Sequence, residues 1–210
     1  MFPPDKVYFI TDVSITGLSH AEQVSRLING GAKLIQLREK QLPARDFFAQ
    51  ADEAIKVARA HGVRIIINDR VDIALALKAD GVHLGQDDMP PEAARAILGS
   101  QALIGFSTHN LSQALKASNS PVNYLAIGPI FVTSSKAKPD PVVGLAGLRQ
   151  ISEALRDFPL IAIGGITPEN IRDTIEAGAN SAAVISSVLA NPLQISAAAE
   201  QLIARASDKR

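Results

Sequence analysis

The sequence predicts a (β/α)₈ barrel of the triosephosphate isomerase (TIM) type, an α/β fold, from three observations. Short apolar runs rich in valine, isoleucine and leucine alternate with longer amphipathic segments, as strands and helices do around a parallel sheet. Eight such units can be counted, the number that closes this barrel. The 210 residues are near the lower limit for the fold, so one TIM-barrel domain is expected over residues 1–210. A doubly wound open sheet is the alternative.

The strands are the apolar runs themselves, and helices are expected between them. In chain order the predicted strands cover residues 7–11, 33–38, 64–68, 81–85, 103–107, 124–127, 160–163 and 182–186. The Asn-Gly-Gly run at 29–31 ends the first helix, and the Glu-Ala-Gly-Ala run at 176–179 ends the seventh. Prolines open later helices, at Pro90-Pro91 and at Thr167-Pro168.

Composition excludes several kinds of function. Lysine plus arginine balances aspartate plus glutamate at 21 each, so no long-range field attracts nucleic acid or an anionic membrane. Without cysteine there is no disulfide, thiolate nucleophile or cysteine-bound metal. No apolar run approaches the roughly 18 residues that span a bilayer, and no leader pattern is present, so we expect a cytoplasmic protein. The expected partners are small molecules, and homo-oligomer formation is left open.

Because the chemistry of such a barrel lies where strands end, polar residues at the strand ends are the candidates. After the second strand, Gln36, Arg38 and Lys40 share the face opposite to that of Ile35 and Leu37. The apolar face should meet the helices, which directs the two cations inward, where a bound anion would offset their charge. The alternative is a solvated strand end with an ordinary salt bridge to Glu39.

Carboxylates follow the third and fourth strands. Asp69 comes after Asn68, and Asp87 and Asp88 follow the neighbouring strand. Asp69 and one of the other two could share a magnesium ion, which binds one or two protein carboxylates and completes its octahedron with water and substrate phosphate. The alternative is that Asp88 caps the helix opened by Pro90 and that Asp69 caps the following helix.

The segment after the sixth strand, residues 128–141, is far longer than a typical βα loop. Its hydroxyls at Thr133, Ser134 and Ser135, together with Lys136, suit a lid that closes over a phosphate. A merely flexible loop, stiffened by proline, is the alternative.

Glycines and serines at the ends of the last two strands predict a phosphate site. Gly164 and Gly165 follow strand seven, and Ser186 and Ser187 lie at the end of strand eight. Glycine lets the main chain approach a ligand closely, and backbone N–H groups after strand eight can donate to phosphate oxygens. Two tight turns are the alternative. The pattern predicts the ligand class and no particular reaction.

The four histidines divide by position. His20 and His61 lie on helical segments, are expected at the surface and are given no role. His83 lies within strand four and fits an interior residue whose ring nitrogens have hydrogen-bond partners. His109 follows strand five, so it could reach the barrel mouth as an acid or base, although a loop histidine is the commoner case.

Taken together, these motifs strongly resemble the thiamine-phosphate synthase family, and the likeness runs from Tyr8 to about Ser187. Each motif is weak alone, but their order and spacing across most of the chain are specific. The motifs are 36–40, 68–69, 85–88, 107–109, 128–131 with 133–136, and 163–166.

The resemblance implies a transferase. It would join 4-amino-2-methyl-5-hydroxymethylpyrimidine diphosphate to 4-methyl-5-(2-phosphoethyl)thiazole, giving thiamine phosphate and diphosphate. The implied cofactor is Mg²⁺, held by Asp69 and Asp88. The C–O bond to diphosphate would break first, and the thiazole nitrogen would trap the pyrimidinylmethyl cation.

The resemblance also implies the site residues. The predicted catalytic residues are Arg38, Lys40, Ser107 and Lys136. The predicted substrate-binding residues are Gln36, Arg38, Glu39, Lys40, Asn68, Ser107, Thr133, Ser134, Ser135, Lys136, Gly165, Ile185 and Ser186.

The lid departs from the family pattern. The usual Pro-Thr-x-Thr-Lys reads Val-Thr-Ser-Ser-Lys at residues 132–136, which keeps the hydroxyl and loses a proline that stiffens the loop. Two other functions compete: the related thiazole tautomerase family, which needs neither magnesium nor diphosphate, and a non-catalytic protein that binds thiamine precursors. The cations and carboxylates after strands two, three and four favour the synthase.

Overall fold

The chain forms a closed barrel in a computed structural model that describes residue 3, residues 5–133 and residues 140–208. Within these residues eight parallel strands pair in chain order, and β1 closes the barrel by pairing with β8. The strands are β1 (Val7–Asp12), β2 (Leu34–Arg38), β3 (Arg64–Asn68), β4 (Gly81–Leu84), β5 (Leu103–Thr108), β6 (Tyr124–Ile127), β7 (Leu160–Ile163) and β8 (Ser181–Val184). The TIM-barrel prediction is therefore confirmed, and the open sheet is wrong.

Helices follow every strand and form the outer layer. They are α1 (Val13–Thr16), α2 (His20–Asn29), α3 (Ala44–Ala60), α4 (Val71–Ala76), α5 (Pro91–Leu98), α6 (Leu111–Ala117), α7 (Gly144–Leu155), α8 (Ile171–Glu176), α9 (Ser186–Leu189) and α10 (Ile195–Ser207), with a 3₁₀ turn at Pro192–Gln194. In the part of the chain described, no helix is long and apolar enough to cross a membrane.

Two predicted boundaries are wrong by more than one residue. Strand β8 ends at Val184, because its last pairing is Val184 with Phe9, and Ser186 begins the short helix α9. The apolar residue Ile185 extended the strand pattern past that point. Helix α8 begins at Ile171 and not at Pro168, because the side chain of Asn170 accepts a hydrogen bond from the Thr167 N–H and holds residues 168–170 in a turn.

Two apolar layers hold the barrel together. The larger one lies between the strands and the helices, and the smaller one fills the barrel interior. The interior layer consists of Tyr8, Ile10, Leu34, Ile66, Tyr124, Ile161 and Ala183. Since side chains alternate along a strand, β1, β2, β3, β6, β7 and β8 each contribute residues to both layers.

Burial corrects one prediction about the histidines. His61 is exposed, as expected, but His20 is fully buried. It is the first residue of α2, packs against the ring of Phe47, and forms a hydrogen bond of 2.7 Å between its Nδ1 and the hydroxyl of Thr11. A helical position alone does not reveal which side of the helix faces the barrel.

Candidate active site

A cavity of about 880 Å³ opens where the strands end. Its wall is built from strand ends and the loops that follow them, which is the position expected for the active site of such a barrel. Among its lining residues are eleven of the predicted site residues: Gln36, Arg38, Lys40, Asn68, Asp69, Asp88, Ser107, Thr133, Gly165, Ile185 and Ser186. The structure therefore brings together residues that are up to 150 positions apart in the sequence (Gln36 to Ser186).

Arg38 ends β2 on the inward face and is held by an ion pair with Asp12 at the end of β1. Asp12 is buried, and its side chain also accepts from the backbone N–H of Ser14 at 3.0 Å. These bonds orient the guanidinium before any ligand binds. The sequence analysis missed Asp12, although it is the polar residue that ends the first strand.

Glu39 does not line the cavity. It follows the strand on the face opposite to Arg38, where its Oε1 accepts from the backbone N–H groups of Gln41 at 2.6 Å and Leu42 at 3.0 Å. Its other carboxylate oxygen lies 3.7 Å from the buried ring of His20. This position does not support the prediction that Glu39 binds substrate, and neither does it support the predicted salt bridge from Glu39 to its cationic neighbours.

Lys40, Asp69 and Asp88 meet at one side of the cavity. The Lys40 ammonium forms an ion pair with Asp69, and the carboxyl groups of Asp69 and Asp88 lie in contact. Asp69 has a φ of +60°, in the left-handed region that aspartate tolerates better than most residues. Burial and, to a smaller extent, Asp88 raise the pKa of Asp69 above its ordinary value, while Lys40 opposes the shift.

The capping alternative for these carboxylates is wrong. The residues that precede α4 and α5 are Arg70 and Pro90, and neither helix start has a side-chain cap. Asp88 instead accepts from the backbone N–H of Gly85 at 2.6 Å, which turns its carboxylate toward Asp69. Both carboxylates therefore face the cavity.

The paired carboxylates fit a magnesium ion. Two like charges in contact at a half-buried position are unfavourable unless a proton or a cation lies between them. Among the described residues no cluster of three or more histidine, aspartate or glutamate side chains could hold a metal. A site with two carboxylates suits magnesium, because that ion fills its remaining positions with water and substrate phosphate.

Asn68 supplies an unsatisfied donor at the same wall. Its Nδ2 is buried and has no hydrogen-bond partner in the described part of the chain. A buried amide donor without a partner costs free energy, typically about 1–3 kcal/mol. An acceptor on a bound ligand would remove that cost.

The opposite wall has the features of a phosphate site. Gly164 and Gly165 have φ values of +100° and +65°, and a Cβ on Gly165 would lie 2.6 Å from the carbonyl oxygen of Val132. Only glycine allows these two segments to pass so closely. Ile185 and Ser186 line the same end, and the buried Oγ of Ser187 has no partner among the described residues.

The predicted lid is described in part. Thr133 lines the cavity, while Ser134, Ser135 and Lys136 lie outside the described residues. The functions assigned to those three residues stay predictions.

Two histidines line the cavity. Burial lowers the pKa of His83 to about 4, so its ring is neutral at physiological pH. His83 lies between the hydroxyls of Tyr124 and Ser107, which confirms it as a satisfied interior residue. His109 lies at the cavity mouth, where its Nδ1 donates to the Gly128 carbonyl at 2.6 Å and its Nε2 lies 3.5 Å from Asp140.

The fold and this cavity define a (β/α)₈-barrel enzyme whose cations, paired carboxylates and main-chain turns suit small anionic substrates. The family model described as "Thiamine monophosphate synthase" matches residues 7–188, and the chain belongs to this family. Its relatives are transferases, and so is this chain.

Three relatives illustrate the similarity. Thiamine-phosphate synthase of Clostridium novyi (strain NT) is 46% identical over 187 residues, which cover 89% of this chain and 91% of the relative. That of Chloroflexus aurantiacus is 44% identical over 203 residues, covering 96% and 93%. The solved thiamine phosphate pyrophosphorylase of Pyrococcus furiosus superposes with a TM-score of 0.87 at 36% identity, covering 96% of this chain and 95% of that one.

Proposed function

We propose that this enzyme joins 4-amino-2-methyl-5-hydroxymethylpyrimidine diphosphate to 4-methyl-5-(2-phosphoethyl)thiazole, releasing diphosphate and forming thiamine phosphate. The observation that carries this proposal is the convergence of Arg38 and Lys40 with Asp69 and Asp88 on one cavity. A thiazole tautomerase needs neither the cations nor the carboxylates. The relatives are thiamine-phosphate synthases by name, which supports the same reaction.

The two ends of the cavity would hold the two anionic groups. The diphosphate would lie against Arg38, Lys40 and Asn68, whose unsatisfied amide would donate to it. The thiazole phosphate would lie against Gly165, Ile185 and Ser186, where main-chain N–H groups add no charge. The pyrimidine ring would occupy the apolar interior between them.

Asp69 and Asp88 would hold a magnesium ion. When bound, this ion would neutralise charge on the diphosphate. The diphosphate carries roughly three negative charges and the two aspartates carry one each. These charges are nearly balanced by the metal ion together with Arg38, Lys40 and Lys136. Lys136 enters this sum from the family resemblance, because it lies outside the described residues.

The chemistry would require charge stabilisation more than a base. The C–O bond breaks, the electron pair leaves with diphosphate, and the amino group of the pyrimidine stabilises the cation that remains. The thiazole nitrogen then donates its lone pair to form the C–N bond. The ion pair with Asp12 pre-orients Arg38 for the departing diphosphate, and this preorganisation avoids a reorganisation cost during the reaction.

The direct test incubates the protein with both precursors, with and without magnesium, and follows diphosphate and thiamine phosphate by mass spectrometry. We expect both products to appear together and to depend on magnesium. Isomerised thiazole without diphosphate would support the tautomerase instead. Tight binding of thiamine phosphate with no diphosphate release would support a binding protein.

Matched variants test the metal site. Asp88→Asn should raise the magnesium concentration needed for half-maximal turnover, because it removes one of the two carboxylates in contact. Asp87→Asn removes the same charge from an exposed neighbour and should leave that concentration unchanged. Equal responses of the two variants would contradict the assignment.

A further inference from the structure

A chain of hydrogen bonds crosses the interior of the barrel and ends at the cavity. Nε2 of Gln36 donates to the hydroxyl of Tyr8 at 3.0 Å, and that hydroxyl lies 3.2 Å from the hydroxyl of Tyr124. The Tyr124 hydroxyl is 3.1 Å from Nδ1 of His83, and Nε2 of His83 is 2.9 Å from the hydroxyl of Ser107. We name these five residues the barrel relay.

The surroundings of the barrel relay favour hydrogen bonds between its members. Tyr8 and Tyr124 belong to the apolar layer that fills the barrel, and both are fully buried. A buried hydroxyl proton without an acceptor is unfavourable, because it loses its hydrogen bond to water and gains none in return. The favoured arrangement is therefore the one in which each proton meets an acceptor.

Gln36 determines the direction of the barrel relay. Because the Tyr8 oxygen accepts from the Gln36 amide, the Tyr8 proton must go to the next oxygen, that of Tyr124. With its oxygen accepting from Tyr8, the Tyr124 hydroxyl is able to donate to Nδ1 of His83, 3.1 Å away. In the opposite direction Tyr8 would accept twice, and its proton would have no acceptor among the described residues.

The direction of the barrel relay determines which ring nitrogen of His83 carries the proton and how the Ser107 hydroxyl is used. A His83 ring that accepts at Nδ1 carries its proton on Nε2, and that proton is donated to the oxygen of Ser107, 2.9 Å away. The Ser107 oxygen is thus used as an acceptor. Its own hydroxyl proton is left to point into the cavity, whose wall Ser107 forms.

Packing keeps the relay rigid. The His83 ring stacks on the Tyr124 ring, with centroids 5.6 Å apart and planes inclined by 26°. Gly105 makes room for the tyrosine, since a Cβ there would lie 2.0 Å from the Cζ atom of Tyr124. Neither ring can turn without displacing its neighbour.

We propose that His83 is a positioning residue: the barrel relay holds it as the Nε2–H tautomer, so that Ser107 presents a hydrogen-bond donor to the substrate. Given the proposed function, the partner is an acceptor atom of the pyrimidine diphosphate, either a diphosphate oxygen or an unprotonated ring nitrogen. Both offer a lone pair, and binding experiments can separate them.

The tautomer is measurable without any substrate. ¹⁵N NMR of histidine-labelled protein distinguishes a protonated ring nitrogen from an unprotonated one, and the exposed His61 provides an internal reference. We expect His83 to show a single neutral form protonated at Nε2. Tyr124→Phe, which removes the proton donor to Nδ1, should introduce the other tautomer. A wild-type ring protonated at Nδ1 would overturn the proposal.

A double-mutant cycle tests whether His83 acts through Ser107. The probes are inorganic diphosphate with magnesium and the unphosphorylated hydroxymethylpyrimidine. Ser107→Ala should weaken the binding of one probe about tenfold, which identifies the acceptor. His83→Phe should weaken the same probe to a similar extent, with no further loss in the double variant. Losses that multiply, or a Ser107→Ala variant that binds both probes normally, would refute the proposal.

Two controls keep the test interpretable. His83→Gln, whose amide nitrogen can replace the Nε2 donor, should recover part of the lost affinity, which a purely structural role would not predict. If His83→Phe fails to fold, the wild-type tautomer and Tyr124→Phe decide the question. Absence of diphosphate release by the wild type with both precursors would reject the proposed function, while the NMR result would stand independently.

Discussion

Acidification from pH 7 to pH 5 should destabilise the fold through two buried histidines. Burial lowers the pKa of His20 to about 4, against the opposing effect of the Glu39 carboxylate 3.7 Å from its ring. Burial also lowers the pKa of His83 to about 4. Both rings are therefore neutral in the folded protein while the unfolded chain takes up protons below about pH 6.5.

The sign and size follow from linkage. The unfolded state binds more protons than the folded state between about pH 6.5 and pH 4, so the free energy of unfolding falls as the pH falls through that window. For a pKa of about 4 when folded and about 6.5 when unfolded, one histidine lowers the free energy of unfolding by about 2 kcal/mol between pH 7 and pH 5. The two together lower it by about 4 kcal/mol, a large part of the stability of an ordinary domain.

Urea unfolding of matched variants at both pH values measures this effect. His20→Asn removes the titrating ring, and its amide can still donate to Thr11, whose hydroxyl donates onward to the Gln36 carbonyl. Between pH 7 and pH 5 the free energy of unfolding of this variant should fall by about 2 kcal/mol less than that of the wild type. His61→Asn changes an exposed histidine, and its free energy of unfolding should fall by as much as that of the wild type.

The comparison between variants isolates the histidine contribution, because the carboxylates that also titrate on acidification are common to all three proteins. If His20→Asn and the wild type lost the same free energy of unfolding, the buried neutral state of His20 would be refuted.

Three further predictions concern the cavity and its support. Gly105→Ala should lower the free energy of unfolding by about 1–3 kcal/mol, because the new methyl would collide with the Tyr124 ring; unchanged stability in urea would contradict this. Asn68→Ala should change stability by less than about 1 kcal/mol but weaken binding of the pyrimidine diphosphate about tenfold by calorimetry, since its Nδ2 has no partner to lose among the described residues; unaltered binding would count against a ligand contact. Asp12→Asn should lower kcat/KM about tenfold or more, because Arg38 loses the ion pair that orients it; wild-type kinetics would exclude that role.

Local pattern was sufficient for the architecture and for much of the cavity wall. Alternation of apolar runs with amphipathic segments predicted all eight strands of the described barrel. The period of two along β2 predicted that Gln36, Arg38 and Lys40 share the inward face, and all three line the cavity. These inferences succeed because the direction of a side chain in a strand depends on nearby residues alone.

The same local argument would have placed Glu39 correctly, since it lies on the opposite face of that strand. Its place among the predicted site residues comes from the family motif at 36–40, which includes it. A motif identifies a segment, whereas alternation decides which of its side chains reach the cavity.

Contacts between distant segments were decided only by the closed barrel. Tyr8 and Tyr124 are 116 positions apart, and their hydroxyls meet because β1 and β6 face each other across the interior. Asp12 reaches Arg38 because β1 and β2 are paired in register. The burial of His20 likewise depends on how α2 packs. Such pairings require the register and closure of the whole sheet, which no stretch of sequence encodes by itself.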